Sequence, residues 1–419
     1  MPPLRRALRR QLRRIRRFLN MSINKVPGKE LENRMKRFTS AMDAANSEWR
    51  VCVIAGGMSM YYLTGTIADG ALIIEREKES ALWVRRNYER SVLESEFHDI
   101  RPMSSFRDVR STLGELPDTV YLDMSEATLE WYGFFNKYMQ FEKALPIDNL
   151  MLRVRAVKSP YEIEIMSRAG RIYDGLLRND LPPLLREGVS EAELGAELYS
   201  LFIKSGYHGV SRFSMKNADV VMGHLGFAES PLYPSVFNGA SGLTGLCPAA
   251  PVLGSREVKL KSGDLIYVDL GFGIDGYNID KTVVYSYGAP QSPEVEAAHN
   301  HCLDIEKFIA SMLCAGERPS DIYEKAMDTV KSEYRSSFMG TRGRTVPFLG
   351  HGVGLYINEW PVIAKGFTEP LECGMTMAVE PKIGIDGAGM VGSENTYLIT
   401  ESGAVSLTGE VREIVYCNT

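Results

Sequence analysis

Histidine and cysteine are both scarce in this 419-residue chain, with six of each. Cys52, Cys247, Cys302, Cys314, Cys373 and Cys417 are scattered, with no Cys-x-x-Cys pair, and no secretory leader is expected. That pattern excludes a disulfide framework and a thiolate zinc site, and reads as reduced cytoplasmic thiols filling cores. No apolar run reaches the roughly 18 residues a membrane helix needs, so no stable membrane span is expected. The glycine-rich stretch 239–245 lacks the Gly-Lys-Ser/Thr of a phosphate loop, which removes the main signal for nucleotide binding. No repeat of solenoid period occurs.

Acid is missing altogether from the first twenty residues, where Arg5, Arg6, Arg9, Arg10, Arg13, Arg14, Arg16 and Arg17 interleave with leucines and Ile15. A basic amphipathic segment of this kind suits an anionic membrane surface, nucleic acid or an organelle-targeting leader. Residues 1–27 are read as a basic, disordered extension, with Met21 as an alternative start. Without those eight charges the net charge of −5 becomes −13, and so acidic a remainder argues against nucleic acid as a partner.

The rest of the chain is long enough for two domains. Over 28–150, helical spacing at Glu30–Ala45 precedes short apolar strands at Val51–Ile54, Ala71–Ile74 and Ala81–Val84, an α/β layer pattern. A second domain, 151–419, opens on a helix capped by Ser159 with Pro160 at its first position, running to about Leu177. Further helices are expected over Ser190–Ser205, from a Ser-x-x-Glu capping box, and over Pro293–Ala315.

Four carboxylates and one histidine in the last third carry the chemistry: Asp269, Asp280, His351, Glu380 and Glu394. Between the two aspartates lies Asp275-Gly276, the signal for a type I′ hairpin turn. With that turn, Gly271 faces Asp280. Asp269 and Asp280 become diagonal neighbours on one sheet face, with Cβ atoms roughly 7 Å apart, near enough for one ion. Glu380 and Glu394 flank the glycine-rich turn 384–389, and a loop of three or five residues would put them on the same face. Taken singly, each acid reads as a solvated strand end. Together on apolar strands they need a compensating cation, because unpaired buried charge is costly. Hard oxygens with one imidazole suit two divalent ions of Mn, Co, Zn or Fe.

On these residues the chain resembles the metallopeptidases that include methionine aminopeptidase, Xaa-Pro aminopeptidase, prolidase and creatinase. Met60-Tyr61-Tyr62-Leu63-Thr64-Gly65 and the segment Leu152–Ile163 add to the likeness, which extends from about residue 30 onward. It implies an α+β architecture, a pita-bread catalytic domain behind a smaller α/β creatinase-type N-terminal domain, and a homodimer. It also implies roles. Asp269 would chelate one metal, Asp280 and Glu394 would bridge both, and His351 and Glu380 would hold the other. Glu380 would act as general base toward a bridging water, whose pKa the ions would lower while stabilising the oxyanion.

Three positions depart from the family pattern. Asn358 stands where the peptidases carry a second histidine; it can donate a hydrogen bond but cannot move a proton at neutral pH. No histidine occurs in 246–251, and Gly392 replaces an arginine common before the last glutamate. His224, in what reads as a glycine-flanked loop, is a candidate proton donor or oxyanion partner, against the simpler reading of a loop histidine facing solvent or capping a turn. His299 and His301 read as surface or helix-packing groups. The expected activity is a dinuclear-metal exopeptidase on short peptides, of Xaa-Pro aminopeptidase or dipeptidase type. The alternatives are a creatinase-like C–N hydrolase or lyase on a small metabolite, and a non-catalytic binding protein.

Overall fold

The computed structural model describes residues 24–215, 220–410 and 412–418. Most of the basic extension therefore lies outside the described residues. Two compact units follow, one ending at Val154 and one beginning at Arg155.

In the first unit the Gly28–Ala45 helix precedes a six-stranded sheet. Its strands are β1 (Val51–Ile54), β2 (Gly70–Glu75), β3 (Ala81–Val84), β4 (Ile100–Pro102), β5 (Thr119–Leu122) and β6 (Lys143–Pro146), in the order β4-β3-β2-β1-β5-β6. The three apolar runs read from sequence are the central strands β1–β3. They are buried because both faces of a mixed α/β sheet are covered. Tyr62 is fully buried, its ring under Arg34 and its hydroxyl accepting from Arg37.

The second unit begins with the Pro160–Gly175 helix. Ser159 accepts from the Glu162 amide and Glu162 accepts from the Ser159 amide, the reciprocal box that fixes a helix start. The same device at Ser190 and Glu193 opens the Glu191–Lys204 helix. One sheet runs β19-β9-β8-β7, with β7 (Gly223–Phe227), β8 (Leu265–Ile274), β9 (Tyr277–Tyr287) and β19 (Val415–Cys417). Its centre is the β8–β9 hairpin. Asp275 and Gly276 take φ values of 50° and 90°, the left-handed conformations a type I′ turn demands.

After two short strands, β10 (Gly340–Thr341) and β11 (Arg344–Thr345), a second sheet follows. It runs β13-β12-β14-β17-β18, from β12 (Phe348–Gly352), β13 (Glu359–Ala364), β14 (Thr376–Val379), β17 (Asn395–Thr400) and β18 (Gly403–Ser406). The hairpin β15 (Lys382–Ile385) and β16 (Gly389–Gly392) projects between β14 and β17. A bridge from Thr282 to Glu394 joins the two sheets. The Pro293–Met312 helix packs on this layer, ending three residues before the expected Ala315 because Leu313 is extended.

His299 and His301 on that helix are buried, not surface groups. His299 donates from Nε2 to the Arg412 carbonyl, and its Nδ1 accepts from the Gly392 amide. Both nitrogens are used, so the neutral ring is the one that fits. Burial pushes its pKa down from 6.5 to about 4. Below pH 6.5 the unfolded chain therefore takes up a proton that the native state excludes, and stability falls as pH drops toward 4. At about pH 5 the loss should be about 2 kcal/mol relative to about pH 7. Urea unfolding of wild type and His299→Gln at the two pH values checks this: the variant should lose that part of the dependence.

Candidate metal centre

The register of the β8–β9 hairpin matches the expectation from its turn: Ile274 pairs with Tyr277, Gly271 with Asp280, and Asp269 with Thr282. Asp269 and Asp280 are thus diagonal on one face. In the second acidic pair the loop is three residues, Asp386 to Ala388, with Ile385 opposite Gly389 and Lys382 opposite Gly392. The ladder continues as Val379 opposite Asn395. The same pairing sum places Glu380 opposite Glu394, the same-face alternative. His351 enters from β12, where it pairs with Ala378 of β14.

The five side chains converge on the floor of a cavity of roughly 500 Å³ whose walls include Phe213, Phe237, Ile357 and Val362. Asp280, Glu380 and Glu394 are buried. Ligand atoms of Asp280, His351 and Glu394 all lie within 4.8 Å of one another. His351 Nε2 is 3.4 Å from Glu380 Oε1. Oε2 of Glu394 accepts from the Thr282 hydroxyl at 2.9 Å, whereas its Oε1 is buried with no hydrogen-bond partner. Burial first, then the charge of Asp280, pushes the Glu394 carboxyl well above the usual range. Burial first, then Asp269, pushes Asp280 up to about 7. An orphaned buried carboxylate oxygen beside a second carboxylate and an imidazole fits one divalent cation, which would satisfy all three.

The other half of the cluster is arranged differently. Lys382, in β15, sends its ammonium into the site, where it donates to Glu380 Oε2 at 2.8 Å, Asp269 Oδ2 at 2.9 Å and Glu394 Oε2 at 2.9 Å. Asp269 Oδ2 also accepts from the Tyr267 hydroxyl at 2.8 Å and the Ser241 hydroxyl at 3.3 Å. That oxygen is saturated. One ion fits the orphaned side of the cluster, whereas on the other side the Lys382 ammonium already supplies positive charge.

Lys382 was not foreseen from sequence. Its signal was strand alternation: two residues beyond Glu380 on the same ladder, it must share that residue's face.

His224 does not lie in a loop. It sits in β7 opposite Asp269 on β8, and its Nδ1 is 2.8 Å from the Ser241 hydroxyl that also reaches Asp269. The flanking glycines are strand residues admitting close neighbours; Gly226, for instance, packs on Pro231. His224 lines the cavity, and burial lowers its pKa to about 4. Asn358 lines the cavity too, and its Oδ1 accepts from the Ser214 amide at 2.9 Å, which orients the amide group. No helix among the described residues is long and apolar enough to cross a membrane.

Residues 164–401 match the model of metallopeptidase family M24, and residues 34–157 match the creatinase/prolidase N-terminal domain. The chain is 28% identical to an Xaa-Pro dipeptidase of Pyrococcus furiosus over 92% of its own length and 100% of that protein. Among solved structures, a prolidase from Pyrococcus horikoshii superposes with a TM-score of 0.74 at 22% identity, covering 91% of this chain and 100% of that one. An X-Pro aminopeptidase from Thermotoga maritima gives 0.73 at 21% identity, covering 91% and 99%. The second unit accordingly has the pita-bread fold, following a creatinase-type domain in the sequence, and the chain belongs to metallopeptidase family M24, as a metal-dependent peptidase.

Proposed function

We propose that this peptidase cleaves short peptides with proline in the second position, dipeptides foremost. The observation that carries the reading is a buried Glu394 with one unpartnered oxygen, grouped with Asp280 and His351 at the floor of an apolar cavity. These three residues would hold a divalent ion, which when bound supplies Lewis-acid polarisation of the scissile carbonyl and of the attacking water. Glu380 then accepts the water proton. Although burial raises its pKa, the Lys382 ammonium beside it helps to outweigh that effect and keep it ionised. His224 stands as proton donor or oxyanion partner, and the Asn358 amide donates to a substrate carbonyl. The apolar walls suit a proline ring, and the names of the relatives point the same way.

Lys365 also lines the cavity and offers a cation for a substrate carboxylate. Lys365→Met should raise KM for free dipeptides about fivefold, the worth of an exposed ion pair, and leave amidated dipeptides unchanged. His224→Ala should lower kcat by roughly 10²-fold with metal content intact; full turnover would remove that role.

The test of the whole reading is hydrolysis of Xaa-Pro and Xaa-Ala di- and tripeptides after reconstitution with Mn, Co, Zn or Fe, beside a Glu380→Ala control. Turnover of the proline substrates that vanishes in the control supports it. A metal-loaded protein inert on every peptide sends the search to small-metabolite C–N hydrolysis. The reading carries a cytoplasmic homodimer, which sedimentation and cell fractionation would check.

A further inference from the structure

We propose that the Lys382 ammonium takes the place of one of the two metal ions, leaving a single divalent-ion site formed by Asp280, His351 and Glu394. The inference rests on the peptidase reading for the choice of ligand carboxylates. It goes beyond that reading in the number of ions and in the role of Lys382.

Three independent features support it. First, the ammonium has three protons and three carboxylate partners, Asp269, Glu380 and Glu394, all within 2.9 Å. Its donor capacity is full, and its side chain is only 2% exposed. An ion bound to the same Asp269 and Glu394 oxygens would sit in contact with a like charge. Second, among the cluster carboxylates the buried oxygen left without a hydrogen-bond partner belongs to Glu394. Oδ2 of Asp269 takes three donors and Oε2 of Glu394 takes two, whereas Oε1 of Glu394 takes none. Glu394 is also grouped with Asp280 and His351, so its unmet demand for positive charge belongs to the carboxylate that adjoins the second position.

Third, the backbone is built to admit this lysine. Gly392, directly opposite on β16, has φ of 145°. A Cβ there would lie 2.8 Å from Lys382 Cα, 3.0 Å from its Cγ and 2.4 Å from the Pro381 carbonyl oxygen. The side chain missing at 392 and the lysine present at 382 are therefore one change: a residue larger than glycine would displace Lys382 from the cluster. The amide of Met339 donates to the Lys382 carbonyl at 2.7 Å, and the Tyr267 ring lies 6.0 Å from the ammonium. Lys382 thereby acts as a positioning residue that holds three carboxylates in place without an ion.

The test is Mn²⁺ stoichiometry by equilibrium dialysis with elemental analysis on the full chain, for wild type, Lys382→Ala and Lys382→Met. One Mn²⁺ per wild-type chain is expected, rising to two in Lys382→Ala, where three carboxylates lose their cation and gain room. Lys382→Met should stay at one, because its side chain still fills the space. Two ions per wild-type chain, or none, overturns the proposal, as does a Lys382→Ala variant that folds and stays at one. If Lys382→Ala does not fold, the wild-type count decides alone, with an anomalous-scattering map of Mn²⁺-soaked crystals showing one peak or two. Peptide turnover is read separately. One ion with no turnover on any peptide keeps this inference and removes the substrate reading, and two ions with turnover does the reverse.

Discussion

Glu380→Gln is expected to lower kcat for peptide hydrolysis by about 10²–10⁴-fold, with KM and bound metal nearly unchanged. The magnitude is that of a general base, about 3–5 kcal/mol of barrier at 1.36 kcal/mol per decade. The substitution is close to isosteric, and the amide oxygen can still accept from Lys382, which Glu380 Oε2 does at 2.8 Å. Glu380 lies outside the Asp280–His351–Glu394 group, so the ion should remain. Steady-state kinetics on an Xaa-Pro dipeptide, with metal content measured on the same sample, checks both parts. A kcat within about threefold of wild type would assign the proton transfer elsewhere, His224 being the nearest alternative. Loss of the ion together with activity would instead make Glu380 a ligand.

The largest expected effect on stability comes from a charged cluster away from the cavity floor. Glu359, at the start of β13, contacts the Arg155 guanidinium through Oε1, while Lys158 Nζ is 3.5 Å from its Oε2. Side-chain exposures of these three residues run from 1% to 4%. The Tyr356 amide donates to the same carboxylate at 3.1 Å, and Arg155 stacks over the Tyr356 ring. One carboxylate thus serves two buried cations. Glu359→Ala leaves Arg155 uncompensated and Lys158 with only the charge of Glu162, and should destabilise the unit by about 3–5 kcal/mol. The denaturant midpoint of the second unit reports it. Combining Glu359→Ala with Lys158→Met should restore part of the loss, because one stranded charge is then gone. A single substitution costing less than about 1 kcal/mol would mean that water reaches the cluster.

Much of the site was legible in the sequence wherever a local turn sets a register. Asp275-Gly276 strongly favours a type I′ hairpin turn, and given that turn the diagonal placement of Asp269 and Asp280 followed before any tertiary contact was known. Caps read equally well at Ser159 and Ser190, because the reciprocal hydrogen bonds span three residues. Glu380 and Glu394 were harder. Parity over a glycine-rich turn depends on whether its loop holds an odd or even number of residues, and sequence left both open until the Ile385–Gly389 pair closed it at three.

His224 was misread because glycines on either side punctuate a chain in the same way whether they bound a loop or admit close packing in a strand. Only the pairing of β7 with β8 separates the two. Asn358 was singled out from the sequence, but its partner Ser214 lies 144 residues away in the chain.

Identity, order and spacing of the five clustered residues and the family were carried by the chain itself, since each depends on residue type and short-range geometry. The number of cations the centre can accept was not. A lysine two residues past a glutamate reads as a solvated flank unless its surroundings are known. Here β8, the end of β14 and the start of β17 bring three carboxylates around it, and the missing Cβ at Gly392 gives it room. Charge compensation depends on distance in space, and those distances are set by strands that meet from residues far apart in sequence.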